Sequence, residues 1–132
     1  MTLHVAALEA LMVEYELPYP PSVNHYWRRV GPRTLISREG RAFRREVCSI
    51  LAASGVLSIA GPIRVVVELY PPDRRRRDVD NAMKSLLDAL EKAGAYEDDG
   101  QIVDLRVRKC QPVEGGRAIV SIEKAGGDQR RE

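Results

Sequence analysis

Apolar and polar positions alternate along this chain in two rhythms, and the change from one to the other marks its elements. In "LMVEYEL", Leu11, Val13, Tyr15 and Leu17 alternate with Met12, Glu14 and Glu16. That period of two predicts a half-buried strand, stopped by the prolines at 18, 20 and 21. "SVNHYWRRVGPRTLIS" follows without a clear period and predicts an irregular loop with a turn at Gly31-Pro32. From Ser37, a residue suited to an N-cap, the spacing of Phe43, Val47, Ile50 and Leu51 predicts a helix that ends near Gly55. "GPIRVVVELYPP" is β-branched, almost continuously apolar and bounded by glycine and proline, which predicts a well-buried strand. Met83, Leu86, Leu87 and Leu90 then fall at i, i+3, i+4 and i+7, predicting a helix over 79–93 with Gly94 just past its end. "QIVDLRVRK" alternates Val103, Leu105 and Val107 with Asp104, Arg106 and Arg108, a strand with one wet face. "GRAIVSIEK" is a final strand, and the glycines at 115 and 116 suggest that it forms an antiparallel hairpin with the preceding one.

The expected order is β-α-β-α-β-β: a small α+β domain with two main helices on one face of a mixed sheet. At 132 residues the chain fits a single domain with a core of about 11–124. Residues 1–10 and 125–132 carry no folding pattern and are expected to be flexible. No stretch has the ~20 apolar residues of a membrane span, and no leader pattern opens the chain, so a cytoplasmic protein is expected. Cys48 and Cys110 are isolated, with no zinc-ligand spacing. Cys48 reads as a small core residue. His4 and His25 stand apart, which argues against chemistry built on histidine.

Net charge is only +2, but its distribution is uneven. Arg28, Arg29, Arg33, Arg38, Arg41, Arg44 and Arg45 crowd one segment, and Arg74, Arg75, Arg76 and Arg77 are consecutive. Local arginine clusters suit a polyanion, although arginines also serve solubility alone. Immediately after the second cluster come Asp78 and Asp80, at the start of the second helix. Either can cap it, since carboxylates are favoured at the positive end of a helix dipole. One cap suffices, however, and two are present. Lys84 lies one turn beyond Asp80, about 40° round the helix, where it either supports the helix weakly or serves chemistry beside the carboxylates. The turn at Glu97, Asp98 and Asp99 could bring a third acid to Asp78 and Asp80 if the next strand returns beside residues 63–70. Carboxylates that close repel unless a cation intervenes, and acids without His or Cys favour Mg²⁺ or Mn²⁺ over zinc. Metal, lysine and arginines together point to phosphodiester chemistry. A non-catalytic nucleic-acid-binding module, or a general metal-dependent nuclease, would use many of the same residues.

"RDVDNAMKSLLDALEKAGAYEDDGQI" resembles the signature of RusA-type Holliday-junction resolvases: R-D-x-D-N, a lysine, L-x-D-A-L, then D-D-x-Q. "PPSVNHYWR" and "LISREGRAFRREV" resemble the family's opening loop and first helix, so the likeness spans roughly residues 15 to 123. The resemblance implies a homodimeric, Mg²⁺-dependent endodeoxyribonuclease, bacterial or prophage-encoded, that resolves four-way junctions by paired symmetric nicks in recombination and repair. It implies no organic cofactor. It places the family's metal-binding aspartates at Asp78, Asp80 and Asp99, with Asp98 as the alternative third ligand, and its catalytic lysine at Lys84. Asn24 and Arg28 match the opening loop, where DNA contact is expected. Arg74 to Arg77 are more basic than the motif requires and are expected to hold the DNA backbone.

Overall fold

The structure, a computed structural model, describes residues 12–125. The stretches expected to be flexible lie outside these residues, except Ala125, whose N–H donates to the Pro62 carbonyl at 2.9 Å. Among the described residues, six strands and two long helices make up the fold. They are β1 (Met12–Leu17), β2 (Trp27–Val30), β3 (Arg33–Ile36), α2 (Arg38–Ala53), β4 (Ile63–Tyr70), α3 (Val79–Lys92), β5 (Ile102–Lys109) and β6 (Arg117–Lys124), with a short helix α1 (Val23–Tyr26) before β2. A 3₁₀ turn, Asp99–Gln101, leads into β5.

The main sheet has the order β1-β6-β4-β5. Strand β4 is central, and its alternation is complete: Ile63, Val65, Val67 and Leu69 are buried on the helix side, while Arg64, Val66, Glu68 and Tyr70 are half-buried on the other. Helices α2 and α3 cover the first face. They contribute Phe43, Val47 and Leu51, and Ala82, Met83, Leu86, Ala89 and Leu90, to one core. Burying the Phe, Val, Met and Leu side chains of this set contributes about 1.5–3 kcal/mol each, and the alanines less. The opposite face is held by charges: Arg64 reaches Asp104 on β5 at 2.9 Å and Glu123 on β6 at 2.8 Å. The caps agree with the spacing too. Ser37 Oγ accepts from the Gly40 N–H at 2.9 Å, and Gly94 has φ 90°, a left-handed conformation that glycine adopts without Cβ strain.

Two expectations are corrected. The last two strands do not form a hairpin: β4 lies between them, parallel to β5 and antiparallel to β6. The connection instead passes over the end of β4, where the Cys110 N–H donates to the Leu69 carbonyl at 2.8 Å and the Val113 N–H to the Pro71 carbonyl at 2.9 Å. The stretch expected to be an irregular loop is ordered as α1 and the β2–β3 hairpin, turned at Gly31-Pro32 with φ 60° at Gly31. A further difference concerns β5. Leu105 lies on the helix-side face of the sheet, because it pairs with the buried Val65, while Val103 falls at a register shift, between Ile102 opposite Ile63 and Asp104 opposite Arg64. Yet Val103 is 62% and Leu105 42% exposed. This strand is the sheet's edge, and of its apolar residues Ile102 and Val107 pack against the core.

Candidate active site

The unit β4–α3–β5 is a parallel crossover, and its topology decides where the acids go. Strand β4 delivers the chain to the loop 71–78, α3 returns it, and β5 starts again beside the beginning of β4. Asp78 and Asp80 therefore stand at one end of α3, and Asp98 and Asp99 at the other. From Asp80 to Glu91 the helix alone spans ~16 Å at 1.5 Å per residue. The third carboxylate does not reach Asp78 and Asp80 within one chain. It meets another acid instead: ligand oxygens of Glu91, Asp98 and Asp99 all lie within 4.8 Å of one another. Glu91 escapes a reading of the sequence, because at helical spacing it looks like an ordinary solvent-facing residue.

At the first end, Asp78 is the N-cap residue of α3, but its side chain makes no capping hydrogen bond. Its carboxylate is left free at the positive end of the helix dipole, with Asp80 in the first turn. Both are exposed, as is Lys84. A cleft of about 620 Å³ opens beside Asp78, lined among others by Tyr19, His25, Arg75, Arg76 and Asn81; Asp80 and Lys84 do not line it. The four arginines divide here. Arg74, Arg75 and Arg76 are exposed, whereas Arg77 is half-buried and committed to Asp73, at 2.6 Å from Nη1 to Oδ1. Arg77 also stacks over the Tyr19 ring, 5.8 Å from its centroid, and its carbonyl accepts from Lys109 Nζ at 3.0 Å. The Arg77 guanidinium and the Arg75 N–H together hold the Asp73 carboxyl down at about 2. Arg77 thus braces the loop that presents its three neighbours. Asn24 and Arg28 fall in a separate hollow of about 680 Å³, shared with Trp27, Arg29 and Thr34 along the β2–β3 hairpin.

At the second end, a side chain from the motif sets the turn. Gln101 Oε1 accepts from the Glu97 and Asp98 N–H groups at 2.8 and 3.0 Å, and Nε2 donates to the Ile59 and Gly61 carbonyls at 2.8 Å each. The glutamine clamps the acidic turn to the segment entering β4. Asp98 caps the 3₁₀ turn by accepting from the Gly100 N–H at 3.1 Å, while no such bond engages Asp99. Here three acids gather at the negative end of a helix, where the dipole disfavours them. The hard oxygen donors fit Mg²⁺ or Mn²⁺, and a cation would relieve both the mutual repulsion and the dipole.

Between the two ends, α3 is fixed to its neighbours. Asp88 accepts from the Tyr26 hydroxyl and pairs with Arg44 of α2 at 2.9 Å. Burial, reinforced by Asp88, pushes the Tyr26 phenol up to about 12. Tyr96, whose hydroxyl donates to the Leu87 carbonyl at 2.8 Å, is likewise pushed well above the ordinary phenol range by burial. Among the described residues, no helix is long and apolar enough to cross a membrane. Both cysteines are free and half-buried.

A sequence profile of the family described as "Endodeoxyribonuclease RusA" matches residues 18–123. The chain is similar to "Crossover junction endodeoxyribonuclease rusA" of Enterobacteria phage 82, 45% identical over 113 residues, which cover 85% of this chain and 94% of that protein. It is also similar to proteins called "Crossover junction endodeoxyribonuclease RusA", at 43% identity in Escherichia coli K12 and 44% in Shigella sonnei, each over the same shares of the two chains.

Proposed function

The chain belongs to the RusA family of endodeoxyribonucleases, and on that premise we propose that it resolves four-way DNA junctions by paired, symmetric, Mg²⁺-dependent phosphodiester cleavage in recombination and repair. The observation that carries this reading is the uncommitted carboxylate of Asp78. It occupies the N-cap without capping, beside Asp80 and an arginine-lined cleft, which is how a ligand would be held and not how a cap is used.

Asp78 and Asp80 of one copy and Asp99 of the other would hold the cation in the homodimer that the family resemblance implies, and Asp99 suits the role better than Asp98 because Asp98 already caps the turn. Mg²⁺, with Mn²⁺ as a substitute, would supply an activated water at neutral pH and polarise the scissile phosphate. The chain's own residues do the rest. Lys84, one turn from Asp80, places an ammonium where charge develops on the phosphate oxygens. Asn81 offers hydrogen-bond donors into the cleft. Arg74, Arg75 and Arg76 grip neighbouring phosphates, and Asn24 and Arg28 contact a second stretch of backbone from the hairpin. No organic cofactor is required, and a cytoplasmic, bacterial or prophage setting suits such an enzyme.

The test is cleavage of a synthetic four-way junction against linear duplex of the same sequence, with and without Mg²⁺. The expected result is nicks at symmetry-related positions in the junction, only with the cation. Equal cutting of linear duplex would make the chain a general nuclease, and junction binding without cutting would make it a binding module.

A further inference from the structure

The hairpin of β2 and β3 is set apart from the rest of the chain. Among the described residues its two strands pair only with each other, as a sheet separate from the main one, and residues 28–35 are all exposed. Such an arm holds no position of its own, so its placement depends on its two feet. The first foot, residues 21–26, ends in α1, four residues that are too few to be stable alone and have no side-chain cap at Ser22. Two polar contacts bind this foot to α3. Ser85, fully buried, donates to the Pro21 carbonyl at 2.6 Å. The hydroxyl of the buried Tyr26 donates to Asp88, which Arg44 of α2 also holds at 2.9 Å. The second foot is tied to the first: the Ser37 N–H donates to the Tyr26 carbonyl at 2.9 Å, and its hydroxyl donates to the His25 carbonyl. Gly40 lets α2 come this close, since a Cβ there would collide with the Tyr26 carbonyl.

These contacts join the two places where the nuclease reading puts DNA. The foot of the arm, with Tyr19 and His25, forms one wall of the cleft beside Asp78, and Arg75, Arg76 and Asn81 form the other. Further out, Asn24 and Arg28 line the hollow of the hairpin. Ser85 and Asp88 are three residues apart and so share one face of α3. Asp80, in the first turn of the same helix, is ~12 Å along from Asp88. Apolar burial has no direction, whereas hydrogen bonds set both distance and angle. We propose that Asp88, Ser85 and Tyr26 are positioning residues that make the hairpin a fixed arm, so that DNA gripped at Asn24 and Arg28 presents one particular phosphate to Asp78 and Asp80. This role rests on the nuclease reading of the cleft. The aspartate of "LLDAL" thereby acquires a task, although it lines neither the cleft nor the hollow. A misplacement of about 1 Å can slow an enzyme about 10²-fold, so losing these contacts is felt at the cut more than in the grip.

The double variant Tyr26→Phe/Ser85→Ala tests this, since it removes both contacts to α3 and leaves the apolar packing in place. Its Kd for a synthetic four-way junction is expected to stay within about 2-fold of wild type. Single-turnover nicking is expected to slow by about 10-fold or more, with nicks spread to the phosphates on either side of the wild-type position. Arg64→Met, which removes two ion pairs on the far face of the sheet, is the control for lost stability and is expected to nick at the wild-type position. The ¹⁵N order parameters of residues 27–36 are expected to match those of the main sheet in wild type and to fall in the double variant. A wild-type hairpin with low order parameters overturns the proposal. So does a double variant that nicks at the wild-type place and rate, or one that loses junction binding in step with nicking. Equal spreading of nicks in Arg64→Met overturns it too. If wild-type protein makes no cut in any DNA, the nuclease reading fails instead, and the order parameters still decide whether the arm is fixed.

Discussion

The two ends of α3 carry the same kind of side chain in opposite electrostatic settings. At the N-terminal end, Asp78 and Asp80 sit in the favourable field of the helix dipole, beside exposed arginines. At the C-terminal end, Glu91, Asp98 and Asp99 crowd within 4.8 Å of one another, where the dipole opposes them. The first group is stable without a cation. The second group is strained without one, and Gln101 holds it in place against that repulsion. On the proposed assignment, fold and function make opposite demands of one helix, and the C-terminal end would meet the functional demand at a cost in stability.

The largest effect lies in catalysis. Asp80→Asn is expected to lower junction cleavage about 10³-fold, the scale of the several kcal/mol a metal ion supplies, and Lys84→Ala about 10²-fold. Both are read as single-turnover nicking with junction binding retained, and substantial metal-dependent cleavage by Asp80→Asn would remove it from the site. A second effect concerns the middle of the helix. Tyr26 is protonated in the fold up to about 12, against 10.0 ordinarily. Its contribution is fully present below pH 10 and is lost as the pH rises towards 12, by up to about 3 kcal/mol. Urea midpoints at pH 9.5 and 11.5 should thus fall further in wild type than in Tyr26→Phe, and parallel falls would count against the Tyr26–Asp88 bond.

Smaller effects separate the ends directly. Without metal, Asp99→Asn is expected to stabilise the fold and Asp80→Asn to destabilise it, each by about 0.5 kcal/mol. Denaturant unfolding in EDTA reads both, and shifts of the same sign would erase the contrast. The smallest concerns the arginines. Arg76→Ala is expected to reduce the salt slope of DNA binding by about one, the loss of a single phosphate contact. Arg77→Ala is expected to loosen the loop around Asp73 instead, visible as faster amide exchange at residues 73–77.

What the sequence disclosed followed how local each signal is. Helices α2 and α3 were legible because a terminal signal and one repeating period define each, and strand β4 because glycine and proline bound a continuous β-branched run. The pairing of β6 was not, because nothing in "GRAIVSIEK" says that β4 will come between it and β5. The β2–β3 hairpin was hidden by short strands rich in exposed arginine, which blur the alternation. Asp78, Asp80, Asp98 and Asp99 stood out in their motif and Glu91 did not, and the separation of the two groups was hidden, since it depends on β5 running parallel to β4. Val103 and Leu105 illustrate the same limit: their alternation predicts burial, and their place at the sheet edge leaves them exposed.

The central claim is that the two ends of α3 serve one site, and Mn²⁺ binding followed by isothermal titration calorimetry tests it most directly. The prediction is a single class of sites in wild-type protein, lost equally on Asp80→Asn and on Asp99→Asn. Two independent classes, each removed only by the substitution at its own end, would contradict it.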